Sequence, residues 1–179
     1  MQALLDKDAI RDLVLCYSRG VDRQDFPLLR TLYTKDAVED NHGGHYTGSA
    51  AGYVDWLATS LPRLAITTHG VLNHLIVLEG QDRAQGEVYC IAYHRIPKDG
   101  GGWFDQIHGM RYLDHYAKVD GRWLFSRRSV SLDWQRIGPT SWEDNRPAIA
   151  GVLVGKPGAD DPSYAALEHP FFGRWPASG

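Results

Sequence analysis

The first third of the chain carries the hydrophobic pattern of helices. Apolar side chains recur every three or four residues over residues 7–21, which predicts an amphipathic helix with Asp6 as its N-cap. Asp25 is predicted to cap a second, short helix that has Pro27 in its first turn. A third helix is predicted over residues 49–60, where a further apolar segment ends before a proline.

From residue 65 onward the pattern changes to long segments rich in β-branched and aromatic residues. Strands are predicted over residues 65–79, 83–97, 103–118 and 122–134. Turn signals separate them, and Asp120-Gly121 is typical of a two-residue type I′ hairpin. Strands this long twist and coil rather than stay flat. The sequence therefore predicts an α+β fold, in which a curved sheet forms a half-barrel around three N-terminal helices.

Composition narrows the choice of partner and compartment. The chain has 179 residues, 43% of them hydrophobic, and a formal net charge of −3. It has no basic surplus to neutralise phosphates, so we expect no nucleic-acid partner. No apolar stretch approaches the roughly 20 residues that span a bilayer, and no signal peptide is recognisable, so we expect a soluble, cytoplasmic protein with no membrane partner. Cys16 and Cys90 are expected to be free thiols.

The chain divides into two regions of different character. Residues 1–134 hold all the predicted helices and strands and are expected to form one domain. Residues 135–179 combine prolines with aromatic residues such as Trp142, Phe171 and Trp175. We expect this C-terminal extension to pack on the domain, where it would cover the mouth of a cavity, or on a neighbouring subunit.

One carboxylate and one imidazole are the most informative polar residues. Asp22 ends the first predicted helix, and His69 lies near the start of the first long strand. If the fold brings them together, Asp22 can hold one ring nitrogen of His69 and leave the other free to accept a proton, as in a general base. The residues alone leave a plainer interpretation open, in which Asp22 caps a helix and His69 is a hydrogen-bonded core residue.

Five short segments carry a resemblance to a known superfamily. In chain order they are residues 10–22, 32–38, 46–51, 68–73 and 120–125. Together they resemble the nuclear transport factor 2-like superfamily, and in particular its SnoaL-like branch, over residues 3–134. The resemblance implies a cone-shaped α+β barrel, or cystatin-like roll, in which an antiparallel or mixed sheet wraps around three helices and lines a pocket. It also implies a homo-oligomer, either a dimer or a trimer.

Within that fold, Tyr17, Asp22 and His69 look like the site of one catalytic subgroup, which includes scytalone dehydratase, bile-acid 7α-dehydratase and hexachlorocyclohexane dehydrochlorinase. These enzymes eliminate H–X from adjacent carbons without a metal or an organic cofactor. The resemblance implies that His69 is the base and that Asp22 supports it. Tyr17 would orient or polarise the substrate, although it also fits the buried stripe of its helix. His94, on the next strand, resembles the second histidine of the scytalone dehydratase site.

Strand alternation adds candidate substrate-binding residues. Asn73 is predicted to share one face of its strand with His69. Arg127 or Arg128 resembles an arginine that some members place on the last long strand. Alternation lets only one of the two point inward, and the pattern does not choose between them; we take Arg128 as the candidate.

Other chemistries find less support in the residues. His42 and His45, with Asp40, have a metal-like spacing but lie in a glycine-rich loop without an evident third ligand, so no metal site is predicted. We therefore expect a cofactor-independent, dehydratase-like lyase acting on a small apolar molecule of cyclic, aromatic, polyketide or steroid type. Two alternatives stay open: a ketosteroid-isomerase-like isomerase or cyclase, in which Asp22 itself moves the proton, and a non-catalytic ligand-binding domain of the same fold.

Overall fold

The structure is a computed structural model that describes residues 1–140 and 153–167. The helices in these ranges are α1 (Gln2–Asp22), α2 (Phe26–Arg30), α3 (Ala50–Ser60) and α4 (Pro162–Ala166). The strands are β1 (Tyr33–His42), β2 (Tyr46–Ser49), β3 (Ile66–Glu79), β4 (Arg83–Pro97), β5 (Trp103–Val119) and β6 (Arg122–Pro139). Short 3₁₀ turns at Leu61–Arg63 and Gly158–Asp160 precede β3 and α4, respectively.

The strands form one mixed, curved and unclosed sheet of six strands. Their order is β2-β1-β6-β5-β4-β3, and neighbours run antiparallel except for the parallel pair of β1 and β6. The predicted α+β class, with a curved sheet packed on N-terminal helices, is confirmed. Asp120 and Gly121 have φ angles of 51° and 78°, the two positive values that the predicted type I′ turn requires.

The start of α1 differs from the prediction. The helix begins at Gln2 with Met1 before it, so Asp6 is not its N-cap. The Asp6 carboxylate is buried instead, and accepts hydrogen bonds from Lys118 Nζ at 2.7 Å and Trp123 Nε1 at 2.9 Å. These hydrogen bonds lower the pKa of the Asp6 carboxyl. The side chain that the local pattern predicted to cap the helix thus forms tertiary hydrogen bonds to the last hairpin instead.

The other two N-terminal helices begin at predicted positions. The Asp25 carboxylate accepts the backbone N–H of Leu28 at 3.0 Å, which confirms it as the cap of α2. Ser49 Oγ accepts the backbone N–H of Gly52 at 3.2 Å and caps α3 in the same way. None of the helices in the described part of the chain has the length and apolar character needed to cross a bilayer.

The core lies between the helices and the concave face of the sheet. Val88, Cys90 and Ala92 alternate along β4 and are all buried, as the strand pattern predicts. Cys90 and the half-buried Cys16 are both free thiols. Because the inward side chains of β4 are short, they leave room in front of the sheet.

A β-bulge breaks the alternation of β3. The pairing of β3 with β4 shifts register between Val71 and His74. Asn73 lies within the shift and is exposed, and beyond it His74 and Ile76 turn inward. The predicted alternation, which put Asn73 on the same face as His69, is therefore wrong past the bulge, because one extra residue exchanges the two faces of a strand.

The described part of the C-terminal extension lies against α1. The Asp161 carboxylate is 3.2 Å from Arg23 Nε, and the backbone N–H of Gly158 donates to the Arg23 carbonyl at 2.7 Å. Strand β6 continues to Pro139, past the predicted boundary at residue 134. That the whole extension packs on the domain or on another subunit stays a prediction. Three of its aromatic residues lie outside the described residues: Trp142, Phe171 and Trp175.

Candidate active site

A cavity of about 410 Å³ lies between the helices and the concave face of the sheet. That volume is in the range of small-molecule sites in proteins. Much of its wall is apolar, with Trp56, Leu57, Met110 and Leu132 among the lining residues. Against this apolar wall stand five imidazoles: His42, His45, His69, His94 and His108.

The Asp22 carboxylate holds His69 by two contacts. Asp22 Oδ2 accepts the backbone N–H of His69 at 3.0 Å, and Oδ1 lies 2.7 Å from the ring Nδ1. A carboxylate only accepts hydrogen bonds, so Nδ1 carries a proton, and in the neutral ring Nε2 then has a free lone pair. Both side chains are largely buried, at 14% and 9% exposure, and His69 lines the cavity. Asp22 therefore does not serve as a helix cap, and its geometry is that of a carboxylate supporting a base.

His94 and His108 extend the imidazole group across the sheet. In the register of the strands, Ala92 stands between His69 on β3 and His108 on β5. The small Ala92 leaves room for the His94 ring, whose centroid is 5.4 Å from that of His69 and 5.6 Å from that of His108. His108 Nε2 is buried and has no hydrogen-bond partner among the described residues. It is therefore a candidate contact for a ligand in the cavity.

Burial keeps two of these imidazoles neutral. Loss of solvation, with smaller contributions from the neighbouring His69, His108 and His45, lowers the pKa of His94 from 6.5 to about 3. Burial also lowers the pKa of His108, and the nearby His45 adds to the effect. A neutral imidazole has one N–H donor and one acceptor. Both rings can therefore donate a hydrogen bond to a substrate oxygen without placing a charge in the cavity.

Two phenols meet on the wall of the cavity that α1 and α3 form. Tyr17 Oη and Tyr53 Oη are 2.7 Å apart, and Tyr53 Oη is 2.9 Å from His42 Nε2. Burial raises the pKa of both phenols well above 10, so each keeps its proton. Tyr17 thus presents a neutral hydroxyl at the cavity wall, in a position to contact a bound molecule.

With this geometry established, comparison with known proteins identifies the family. The sequence model of the SnoaL-like domain matches residues 2–129, which is most of the chain. The chain belongs to the SnoaL-like domain family. The predicted resemblance is therefore confirmed. No curated protein is significantly similar to the chain in sequence.

Solved structures with the same fold extend the comparison. A hexachlorocyclohexane dehydrochlorinase of type 2 has a TM-score of 0.68 and 22% identity, covering 88% of this chain and 97% of that one. A type 3 enzyme from Novosphingobium barchaimii has a TM-score of 0.65 and 20% identity, with coverages of 87% and 98%. A protein of Novosphingobium aromaticivorans, to which scytalone dehydratase activity has been attributed, has a TM-score of 0.67, 22% identity and coverages of 80% and 98%. At this identity the likeness shows the fold alone.

In this SnoaL-like domain, two sequence-predicted residues lie outside the cavity wall. Asn73 is exposed and lies within the β3 bulge. Arg128 does point inward, as proposed, and is completely buried, whereas Arg127 is exposed. Arg128 is nevertheless not among the lining residues, because its guanidinium lies behind the Tyr17 ring, 4.1 Å from the centroid. Neither Asn73 nor Arg128 is placed to touch a ligand in the cavity.

Arg128 forms a buried ion pair with Asp114. Its Nε and Nη2 donate to the two carboxylate oxygens of Asp114 at 2.7 Å and 2.8 Å. Both side chains are fully buried, and the cation also lies 4.3 Å from the centroid of the Tyr112 ring. The bidentate pair and the aromatic faces stabilise the buried charge, although Nη1 of Arg128 has no hydrogen-bond partner among the described residues. The role of Arg128 in this arrangement is to support the wall that carries Tyr17.

Sequence reasoning missed several polar residues that line the cavity, among them His42, His45, Tyr53 and His108. His42 and His45 were considered only as metal ligands, and among the described residues no group of three or more His, Cys, Asp or Glu side chains is placed to hold a metal ion. The sequence pattern did not single out Tyr53, which lies on α3. His108 could have been found, because residues two apart on a strand share a face, and His108 and Gln106 both line the cavity.

The buried ion pair gives a prediction about stability. We expect Asp114→Ala to lower the free energy of unfolding by about 3–5 kcal/mol, because it leaves Arg128 charged and unpaired in the core. Urea denaturation followed by circular dichroism measures the change. Asp133→Ala is the matched control, since it removes a carboxylate from Arg111 at the protein surface, 2.8 Å away. Equal losses in the two variants would contradict the assigned role of Asp114.

The lowered pKa of His94 predicts a pH dependence. Below pH 6.5 the unfolded chain binds a proton at this residue, whereas the folded protein does so only near pH 3, so stability is lost as the pH falls. Between pH 7 and pH 5, we expect the free energy of unfolding to fall by about 2 kcal/mol less in His94→Gln than in the parent protein. Urea denaturation at both pH values tests this. The control is His115→Gln, at an exposed histidine; an unchanged pH dependence in His94→Gln would refute the prediction.

Proposed function

We propose that this protein is a cofactor-independent lyase that eliminates H–X, in the manner of a dehydratase, from a small apolar cyclic or aromatic molecule. The observation that carries the proposal is the Asp22–His69 pair, held by two contacts at the wall of an apolar cavity. The elimination reactions in the names of the similar structures, a dehydrochlorinase and a scytalone dehydratase, agree with it. That agreement is support from analogy and adds no residue to the site.

His69 is the base in this proposal. Its Nε2 accepts the proton from a substrate carbon, and the charge that develops on the ring is stabilised by the Asp22 carboxylate at Nδ1. A positioned base contributes about 10²–10⁴-fold, which is sufficient when a neighbouring carbonyl already acidifies the C–H bond. The substrate class is therefore a molecule with a leaving group β to a carbonyl.

The neutral rings of His94 and His108 supply the second requirement. Negative charge collects on the substrate carbonyl oxygen as the C–H proton leaves, and N–H donors that are already in place stabilise it. His108 Nε2 lacks a partner within the described residues, so a ligand oxygen could satisfy it. A neutral donor suits this role because a charged one would lose its solvation when an apolar substrate fills the cavity, which costs free energy.

The isomerase alternative finds less support in the geometry. An isomerase in which Asp22 moves the proton needs a carboxylate oxygen that faces the substrate. Both oxygens of Asp22 are occupied by His69, one by the ring and one by the backbone. The site thus favours an imidazole base over a carboxylate base. A site that binds ligands without turnover remains as an outcome of the experiment.

Replacing the base tests the proposal directly. We expect His69→Gln to lower kcat/KM by about 10²–10⁴-fold, because no other group takes the proton. Asp22→Asn should also lower it, since an amide no longer fixes the tautomer or stabilises the imidazolium. The aldol adduct of benzaldehyde and acetone is a suitable probe, because loss of water gives benzalacetone, whose conjugation is read by ultraviolet absorbance.

The controls separate the three functions. His115→Gln, at an exposed position away from the cavity, should keep the parental rate. A rate that survives His69→Gln but not Asp22→Asn would favour a carboxylate base and contradict the lyase mechanism. Saturable binding of benzalacetone without turnover, across a panel of β-hydroxy ketones of increasing ring size, would favour the binding domain.

A further inference from the structure

A second carboxylate–imidazole pair borders the same cavity, and the proposed mechanism does not use it. We propose that Glu39, His42 and Tyr53 form a proton relay that sets the donor direction of the Tyr17 hydroxyl and delivers a proton through Tyr17 to the leaving group. The inference rests on the proposed function and adds its acid component. Tyr17 is the catalytic residue of this relay, and the other three are positioning residues.

Glu39 anchors the relay. Its side chain is completely buried on β1, where Oε1 accepts the hydroxyl of Tyr33 at 2.6 Å and Oε2 lies 2.9 Å from Nδ1 of His42. A buried carboxylate is retained only where donors satisfy it. The pair repeats the arrangement of Asp22 and His69, with Nδ1–H toward a carboxylate and Nε2 turned away from it.

The free nitrogen of His42 has a different partner from that of His69. His42 Nε2 faces the Tyr53 hydroxyl at 2.9 Å, and that hydroxyl faces the Tyr17 hydroxyl at 2.7 Å. Each phenol has one proton, so the chain of hydrogen bonds can run in only two directions. Which direction holds depends on whether Nε2 carries a proton.

When His42 is neutral, Nε2 accepts from Tyr53, and Tyr53 in turn accepts from Tyr17. The Tyr17 proton then points away from the cavity. When His42 is an imidazolium, Nε2–H donates to Tyr53, Tyr53 donates to Tyr17, and the Tyr17 hydroxyl is free to donate to a substrate. The charge on one partly exposed imidazole thereby decides whether a bound molecule meets a donor or an acceptor.

The Glu39 carboxylate is placed to stabilise a positive charge on His42. Glu39 supplies the negative charge at 2.9 Å, and its other oxygen is already satisfied. The titratable groups near it include the phenols Tyr33, Tyr53 and Tyr17, which keep their protons. Tyr46 is its cross-strand neighbour and His45 lines the same cavity, while the Arg128 cation is paired with Asp114. The His42 side chain is 18% exposed, which gives solvent a route to restore its proton.

The proton balance of one turnover is complete without a co-reactant. His69 takes the proton from carbon, the electron pair of that C–H bond becomes the new C=C bond, and the C–O bond breaks. The departing oxygen takes the Tyr17 proton, Tyr17 takes that of Tyr53, and Tyr53 takes that of His42 Nε2. Water leaves, His69 has gained one proton and His42 has lost one, and exchange with solvent returns both to the starting state.

The leaving group distinguishes this relay from a structural role. Hydroxide needs a proton to depart, whereas acetate leaves as a stable anion. The two probes are the benzaldehyde–acetone aldol adduct and its acetate ester, which give the same enone. In Glu39→Gln and Tyr53→Phe we expect water elimination to fall at least about tenfold in kcat, and acetate elimination to change less than about threefold. Tyr116→Phe, which removes a buried phenol outside the relay, should leave the ratio of the two rates unchanged.

The pH profile supplies an independent readout. Water elimination needs neutral His69 and protonated His42, so its rate should fall at both low and high pH. Removing the Glu39 charge destabilises the imidazolium, so Glu39→Gln should move the alkaline limb to lower pH. The acetate ester should lack that limb. Equal loss of both substrates in Glu39→Gln and Tyr53→Phe, with the alkaline limb unmoved, overturns the relay while the proposed function stands.

The relay can also be tested without turnover. In protein labelled with ¹⁵N-histidine, the signal absent from His42→Gln identifies His42, and its shifts report protonation and tautomer. We expect the midpoint of its titration to move to lower pH in Glu39→Gln and to stay in place in Tyr116→Phe. An unmoved midpoint in Glu39→Gln overturns the relay. If neither ester nor alcohol is a substrate of the parent protein, the proposed function fails on this class of molecule and the histidine titration decides the relay alone.

Discussion

The two hydrogen bonds that His69 donates to the Asp22 carboxylate connect the beginning of β3 to the end of α1, and they are the constraint on which the site depends. The bond to the backbone fixes where the strand starts relative to the helix, and the bond to the ring fixes the tautomer. Because one carboxylate makes both contacts, the position of the chain and the orientation of the base are set together. A side chain positioned by the packing of two regular elements is held more firmly than one on a loop, which suits the role proposed for His69.

The cavity follows from what the sheet leaves unfilled. The inward side chains of β4 are short and leave space in front of the sheet. On the opposite side, the Tyr17 ring packs against the buried Arg128–Asp114 pair. Because this ion pair is buried outside the cavity, the positive charge of Arg128 lies close to the Tyr17 ring but does not contact a molecule in the cavity. Two of the imidazoles in the cavity, His94 and His108, are kept neutral by burial, and in the proposed mechanism they are the donors that stabilise the charge developing on the substrate.

The parts of this structure that follow from short-range rules were predictable from the sequence. The Asp120-Gly121 turn needs two positive φ angles, and only a few residue pairs adopt them readily. The long strands and the cap at Asp25 belong to the same class. The predictions for Asp6 and Asn73 were wrong because each depends on tertiary structure. Asp6 accepts hydrogen bonds from the distant Lys118 and Trp123 instead of capping its helix, and a bulge with no clear local signal turns Asn73 outward.

The residues of the site also differ in how far they could be predicted from the sequence. The Asp22–His69 pair was reached through the family resemblance, because the residues are 47 positions apart and nothing local joins them. His42 and Tyr53 belong to different elements and have meaning only once the sheet is curved around α3. Their chemistry was invisible to spacing, and the one pattern that did draw attention to His42, its distance from His45, pointed to a metal.

The two carboxylate–imidazole pairs differ in what their free nitrogens face, and this difference assigns their roles. Nε2 of His69 faces the cavity itself, and abstraction of a proton from carbon requires that direct approach, since C–H bonds are poor hydrogen-bond donors. Nε2 of His42 faces a phenol at 2.9 Å, and protons move between oxygen and nitrogen atoms along hydrogen bonds that are already formed. A group that takes a proton from carbon must therefore lie at the cavity wall, whereas a group that supplies a proton to oxygen can lie two hydroxyl groups behind it. In the proposed mechanism, the same pair of residue types at these two depths serves the two halves of one elimination.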